Sequence, residues 1–198
     1  MEFLVTMTTH VPEGTSEEAV DDIRDREAFH SRELAGQGHL LRLWRPPLQS
    51  GEWRSLGLFA ADDGAQLEEV LTSMPLRVWR TDEVTPLSPH PNDPVQQTAG
   101  NGPEFLTVFT ISIPEGTPER VVDDTEARES ARAKELAQQE HLERLWVLPG
   151  KGRALGLWRA RDVSEMKGIL ESLPLNSWMT TEITPLSTHP SDPLVSGS

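Results

Sequence analysis

The chain has 198 residues, with 18 basic against 32 acidic side chains and a formal charge of −14 at pH 7. Such a charge repels polyphosphate, which sets nucleic acid and anionic membrane surfaces aside as partners. The lack of any Cys removes disulfides, thiol nucleophiles and zinc–thiolate sites together. No apolar run is long enough to span a bilayer and Met1-Glu2 lacks the basic start of a signal peptide, so a cytoplasmic setting is expected.

From the N-terminus, Phe3, Val5 and Met7 alternate with Leu4, Thr6 and Thr8, which predicts a strand over residues 2–11. Pro12-Glu13-Gly14 turns the chain, and Thr15 with Glu18 three residues on forms a capping box that opens a helix. Gly38 ends that helix, and His39–Arg45 predicts a second strand with Leu41 and Leu43 on one side and Leu40, Arg42 and Trp44 on the other. A Pro/Gly/Ser loop leads to a third strand over residues 55–60. A short helix follows, capped by Asp63 with Gln66, burying Leu67, Val70 and Leu71, and ended by Pro75. Residues 79–85 give a fourth strand.

The same order is then written again. Phe3-Leu4, His39 and Trp44 return as Phe105-Leu106, His141 and Trp146 at an offset of 102. Met74-Pro75-Leu76, Trp79 and His90-Pro91 return as Leu173-Pro174-Leu175, Trp178 and His189-Pro190 at an offset of 99. In the second copy Thr117 caps the long helix with Pro118 behind it, Ser164 caps the short one, and Glu140 stands where the first copy ends its helix with Gly38. Strand, helix, strand, strand, helix, strand is the order of the split βαβ, or ferredoxin-like, unit. The fold class is therefore α+β, with two βαββαβ repeats expected to pack sheet to sheet as an intrachain pseudo-dimer, an α+β barrel. The boundaries read as repeat 1 over 1–87, a Pro/Gly/Asn/Gln linker over 88–103, repeat 2 over 104–186 and a tail over 187–198.

Within the first long helix Val20, Ile23, Glu27, His30 and Leu34 recur at steps of three and four, which puts Glu27 and His30 on the stripe that must face the core. The second copy has Val122, Thr125, Glu129, Arg132 and Leu136. A carboxylate on such a stripe loses hydration and its pKa rises unless a cation answers it, which suits it to moving protons near neutral pH. A paired structural carboxylate, reaching Arg24 or Arg45, is the other reading of Glu27. Trp44, Trp79, Trp146 and Trp178, with Arg42 and Arg144 beside two of them, either wall a pocket for a planar ligand or form sheet core. His39, His141, His90 and His189 lack the tight spacing of a zinc motif, and capping or turn roles are expected of them.

The run Gln37-Gly38-His39-Leu40-Leu41-Arg42-Leu43-Trp44-Arg45, the later Met74-Pro75-Leu76, and Glu83-Val84-Thr85-Pro86-Leu87 with His90-Pro91 resemble muconolactone delta-isomerase, over nearly the whole of each repeat. The resemblance implies a ferredoxin-like domain that pairs through its sheets, assembles further, and isomerises a butenolide without cofactor. It implies Glu27, with Glu129 as its repeat, as the base, and Arg45 as the Arg that follows the family's Trp. Donors over the lactone oxygen would come from Arg42, Arg45 or His30, since proton transfer next to a carbonyl builds negative charge on that oxygen. The Lys that the family often carries after its Glu is Ala28 here and Ser130 in the second repeat, and Val147 replaces the Arg after Trp146.

Three readings follow. The leading one is a cofactor-free isomerase, or a biosynthetic cyclase, acting on a lactone or related carbonyl compound. The bias of basic residues toward Arg, with Lys only at 134, 151 and 167, points to a GC-rich bacterial source. The second is a small-molecule-binding or assembly protein that kept the fold, and the third is a structural partner of another enzyme. Further assembly of the pseudo-dimers into homo-oligomers depends on surfaces the sequence leaves open.

Overall fold

The computed structural model describes residues 1–94 and 102–196. By its contacts the chain divides into two units, Met1–Leu87 with Ser187–Ser198, and Ser88–Leu186. Part of the expected linker, residues 95–101, lies outside the described residues, as do the last two residues of the tail.

In the first unit β1 (Glu2–Thr9), α1 (Glu17–Gly36), β2 (Leu40–Arg45), β3 (Arg54–Ala60), α2 (Gly64–Ser73) and β4 (Arg80–Pro89) follow in the predicted order. β1 pairs antiparallel with both β3 and β4, and β3 with β2, so the strand order is β4-β1-β3-β2. The second unit repeats this with β5 (Glu104–Ile111), α3 (Glu119–Gln138), β6 (Leu142–Val147), β7 (Arg153–Arg159), α4 (Val163–Glu171) and β8 (Met179–Thr188), in the order β8-β5-β7-β6. Each unit is thus the βαββαβ unit that the element order predicts.

Alternation on β1 buries Phe3, Val5 and Met7 against Leu34, Leu67 and Leu71 of the helices, one apolar layer between sheet and helices. The second core is built alike from Phe105, Phe109, Leu136, Trp158, Met166 and Leu170. Where the first unit has Val5 and Phe59, the second has Thr107 and Trp158, and the buried indole donates to Thr107 Oγ1 at 2.8 Å, which gives its N–H the partner burial demands. A Cβ on Gly156 would collide with that indole and hydroxyl, so only Gly fits there.

Four local expectations shift. The N-cap of α1 is Ser16, whose hydroxyl accepts from Ala19 N–H, while Thr15 donates to Pro12 C=O within the preceding turn. Thr117 likewise bonds Pro114 C=O and leaves α3 without a side-chain cap. α4 is capped by Asp162, not Ser164, because Asp162 repeats the geometry of Asp63 with Oδ1 accepting from Glu165 N–H. Along β2 the strict alternation fails: a bulge between Leu40 and Arg42 lets Leu40, Leu43 and Trp44 all be buried. At the end of the long helices Gly38 takes φ +78° and Glu140 φ +61°, the left-handed stop that an L side chain adopts only at a cost.

The strand ends cross between repeats. Ser88 and Pro89, the last residues of β4, pair with Val147 and Trp146 of β6 in the second unit, and Ser187 and Thr188 of β8 pair with Arg45 and Trp44 of β2 in the first. Each unit is therefore finished by a His-Pro-x-Asp segment that follows the other repeat in sequence. His189 N–H bonds Leu43 C=O, and the carboxylate of Asp192, fully buried, receives Arg42 Nε and Nη2 at 3.1–3.2 Å, with that guanidinium 4.7 Å from the ring centre of Trp44. In the second unit Asp93 takes Arg144 Nε at 3.3 Å and Leu145 N–H at 2.6 Å, and Arg144 lies 4.6 Å from the Trp146 ring centre.

Candidate functional site

Each unit holds a cavity between sheet and long helix, with the mid-helix Glu in its wall. In the first unit the space is about 580 Å³, lined by Glu27, Arg80, Arg45, His189, Trp53 and Arg24 among others. Glu27 sits on the buried side of α1 as the spacing predicts, and its side chain is 13% exposed. Its Oε2 accepts from Leu76 N–H at 2.8 Å, at the turn that Pro75 makes after α2, and its Oε1 lies 3.1 Å from Arg80 Nη1. Arg80, 2% exposed, is shared with Asp82, 1% exposed, through Nε at 2.6 Å and Nη2 at 3.0 Å, and Arg77 Nη1 reaches the same Asp82 at 2.5 Å. Burial pushes the Glu27 carboxyl above its ordinary value, outweighing Leu76 N–H, Arg80 and His30, which all pull it down.

His189 enters this cavity on the exchanged segment. Ser191 N–H donates to its Nδ1 at 3.1 Å, so the neutral ring carries its proton on Nε2. Burial, with Arg45 nearby, pushes its pKa down to about 4, and the imidazole is neutral at physiological pH. Arg45 lines the same wall, is exposed, and forms no ion pair among the described residues. Arg24 lies over the Trp53 ring at 4.5 Å. The cavity thus offers a shielded carboxylate, a neutral imidazole donor and cationic groups both buried and at the surface.

In the second unit the space is about 380 Å³, and Phe109, Trp158, Leu142, Leu145 and Met179 dominate the wall around Glu129. Leu175 N–H donates to Glu129 Oε2 at 2.9 Å, and burial again raises its pKa. At the offset of 99 Met179 stands where the first unit has Arg80, and Thr181 where it has Asp82.

The structure brings Glu27 and Arg45 to one cavity and Glu129 to the other. It does not bring His30 to either: that ring bonds Glu33 at 3.0 Å and Ser73 Oγ at 2.8 Å, because the inward face of α1 turns through Ser31 instead. Arg42 and Arg144 are bound to Asp192 and Asp93, and none of Trp44, Trp79, Trp146 and Trp178 lines either cavity. The two Trp of β2 and β6 are buried beneath those arginines. Arg80, His189, Trp53 and Trp158 are cavity residues that sequence reasoning does not assign there. The one signal for His189 is the repeated His-Pro dipeptide; for Arg80 it is the unequal exchange of Arg for Met between repeats.

The family model for muconolactone delta-isomerase matches residues 1–93 and again 104–192. The chain belongs to the muconolactone delta-isomerase family. Muconolactone Delta-isomerase 1 of Acinetobacter lwoffii is 36% identical over 87 residues, 44% of this chain and 91% of that protein. The Muconolactone Delta-isomerase of Rhodococcus opacus is 32% identical over 88 residues, 44% and 95%. Membership of the muconolactone delta-isomerase family, in two tandem copies, supports an isomerase-type function. Among solved structures, a heme-binding protein from Thermus thermophilus matches with a TM-score of 0.62 at 10% identity, over 96% of this chain and 93% of that one. Chlorite dismutase from Candidatus Nitrospira defluvii matches at 0.60 and 10%, over 94% and 91%. Likeness at that identity shows the fold alone. No helix among the described residues is long and apolar enough to cross a membrane.

Proposed function

We propose that the first unit isomerises an unsaturated lactone, or a related carbonyl compound bearing a carboxylate, by moving one proton between two carbons without a cofactor. The observation that carries this reading is the Glu27 carboxyl in the wall of the cavity, its pKa raised by burial, facing a space it shares with His189 and Arg45. Glu27 takes a proton from the carbon activated by the carbonyl, the electron pair moves into the ring and onto the carbonyl oxygen, and Glu27 returns the proton to the other carbon. His189, neutral with its proton on Nε2, donates to the oxygen that gains charge, and a neutral donor matches an enolate without protonating it outright. Arg45 at the mouth binds the carboxylate arm of the substrate. Arg80 sets the orientation of Glu27 and holds back the rise of its pKa.

The test is Glu27→Gln, with turnover and deuterium uptake from D₂O into a butenolide followed by NMR. Gln preserves volume and can still accept from Leu76 N–H, so the fold persists by circular dichroism while turnover drops by about two to four powers of ten. Unchanged turnover refutes the role of Glu27.

A further inference from the structure

The two cavities differ in charge at every position that would meet a substrate carboxylate. Met179 replaces Arg80, Val147 replaces Arg45, and Glu126 stands at the rim where the first unit has Arg24. Glu129 has Leu175 N–H as its one polar contact among the described residues, and no Arg or Lys lines its cavity. An anionic ligand would meet two acidic groups and no cation there. The apolar wall and the missing counter-ion raise the Glu129 pKa, and in its protonated form the carboxyl donates. Asn92 N–H donates to His90 Nδ1 at 3.1 Å, so the neutral His90 ring of the same cavity also holds its proton on Nε2 and can donate. Two donors in an aromatic and aliphatic wall match a ligand with a hydrogen-bond acceptor and no charge.

We infer that the cavity of the second unit is a separate binding site for uncharged, apolar carbonyl compounds, an alkyl lactone or ketone, held by Glu129 and His90 and packed on Trp158. The site discriminates against the carboxylate-bearing compounds assigned to the first unit, so one chain carries two pockets of opposite preference. Its test reads binding rather than turnover, so the outcome is independent of the Glu27 mechanism.

The experiment titrates the full chain with three butenolides differing in one substituent, pentyl, carboxymethyl or aminomethyl, while Trp fluorescence is followed. Trp158→Phe, made with Thr107→Val so that the pair becomes the Val5 and Phe59 of the first unit, locates the signal. The pentyl compound is expected to quench Trp158, to bind at least about tenfold more tightly than either charged compound, and to lose its signal in that double variant. Glu129→Leu weakens it by about tenfold, the loss of one hydrogen bond, while Glu129→Gln, which keeps a donor, retains it. Met179→Arg, which writes the first unit's cation into the second, turns the preference toward the carboxymethyl compound. The inference fails if the carboxymethyl or aminomethyl compound binds the native chain as tightly as the pentyl one, if the quenching survives Trp158→Phe with Thr107→Val, or if Glu129→Leu leaves affinity unchanged.

Discussion

Replacing Arg80 by Met should cost the first unit about 3 kcal/mol, the low end of what removing one partner of a buried ion pair costs. The size follows from the contacts. The guanidinium, 2% exposed, serves Glu27 at 3.1 Å and Asp82 at 2.6 and 3.0 Å, and both carboxylates lose it at once. Asp82 keeps Arg77 at 2.5 Å, which holds the loss to the lower figure. The second unit shows how the same position is built without charge, with Met179 and Thr181. The double variant Arg80→Met, Asp82→Thr should therefore lose only about 1 kcal/mol, about 2 kcal/mol less than the single variant, so the two changes are not additive. Urea unfolding monitored by amide resonances of Val5 and Phe59, both in the first core, reads the relevant unit. A single variant that loses less than about 1 kcal/mol would show that the buried charge is not stranded by losing its partner, and a double variant as unstable as the single would show that removing both charges restores nothing; either outcome refutes the reasoning from burial.

Glu140→Gly should stabilise the second unit by about 0.5–1 kcal/mol, the left-handed penalty at φ +61° less the entropy Gly costs the folded state; a lowered urea midpoint would refute it. His189 has its folded pKa depressed from 6.5 to about 4, so the folded state holds fewer protons in that window; its contribution is complete above pH 6.5 and is lost as pH falls toward 4. Glu27 and Glu129 act with the opposite sign, since raised carboxyl pKa values favour the fold below the ordinary value of 4.5 and lose that contribution as pH rises through the folded values. His189→Gln should accordingly flatten the fall of the first unit's urea midpoint between pH 6.5 and 4, and an unaltered slope would contradict the burial of that ring. Asp192→Asn should weaken the docking of the exchanged segment by about 1.5–3 kcal/mol, the worth of hydrogen bonds to a charged group, seen as faster hydrogen exchange at the His189 and Val195 amides.

Much of the fold is legible in the chain because it is written in local signals. Asp63 with Gln66, the Leu67/Val70/Leu71 and Met166/Ile169/Leu170 stripes, and the alternation of Phe3, Val5 and Met7 each depend on neighbours within a turn or a pleat. The inward turn of Glu27 is legible for the same reason, as a position on a stripe. What faces Glu27 is not. Arg80 lies 53 residues on, at the start of a strand, where nothing local says that its side chain reaches back to the helix. The bulge at Leu40/Arg42 is invisible to a period-two reading and places Leu40, Leu43 and Trp44 all in buried positions, so of the two readings open for Trp44 the sheet-core one describes its place. His30 falls one step of the helix outside the inward face, since steps of three and four leave the edge of a stripe ambiguous and Ser31 is small enough to lie on the inner side. The His-Pro-x-Asp segments read as tails and linker because their partners, Arg42 and Arg144, stand 150 and 51 residues away.

The crossing of strand ends has a consequence for biosynthesis. The second unit is one unbroken stretch of chain, whereas the first requires Ser187 onward, which leaves the ribosome after both repeats. A nascent chain halted after Leu186 would hold every residue of its later half and still lack His189 from its earlier one. The half translated first is thus the half completed second, and during that interval its unfinished cavity stands open to chaperones or to misassembly.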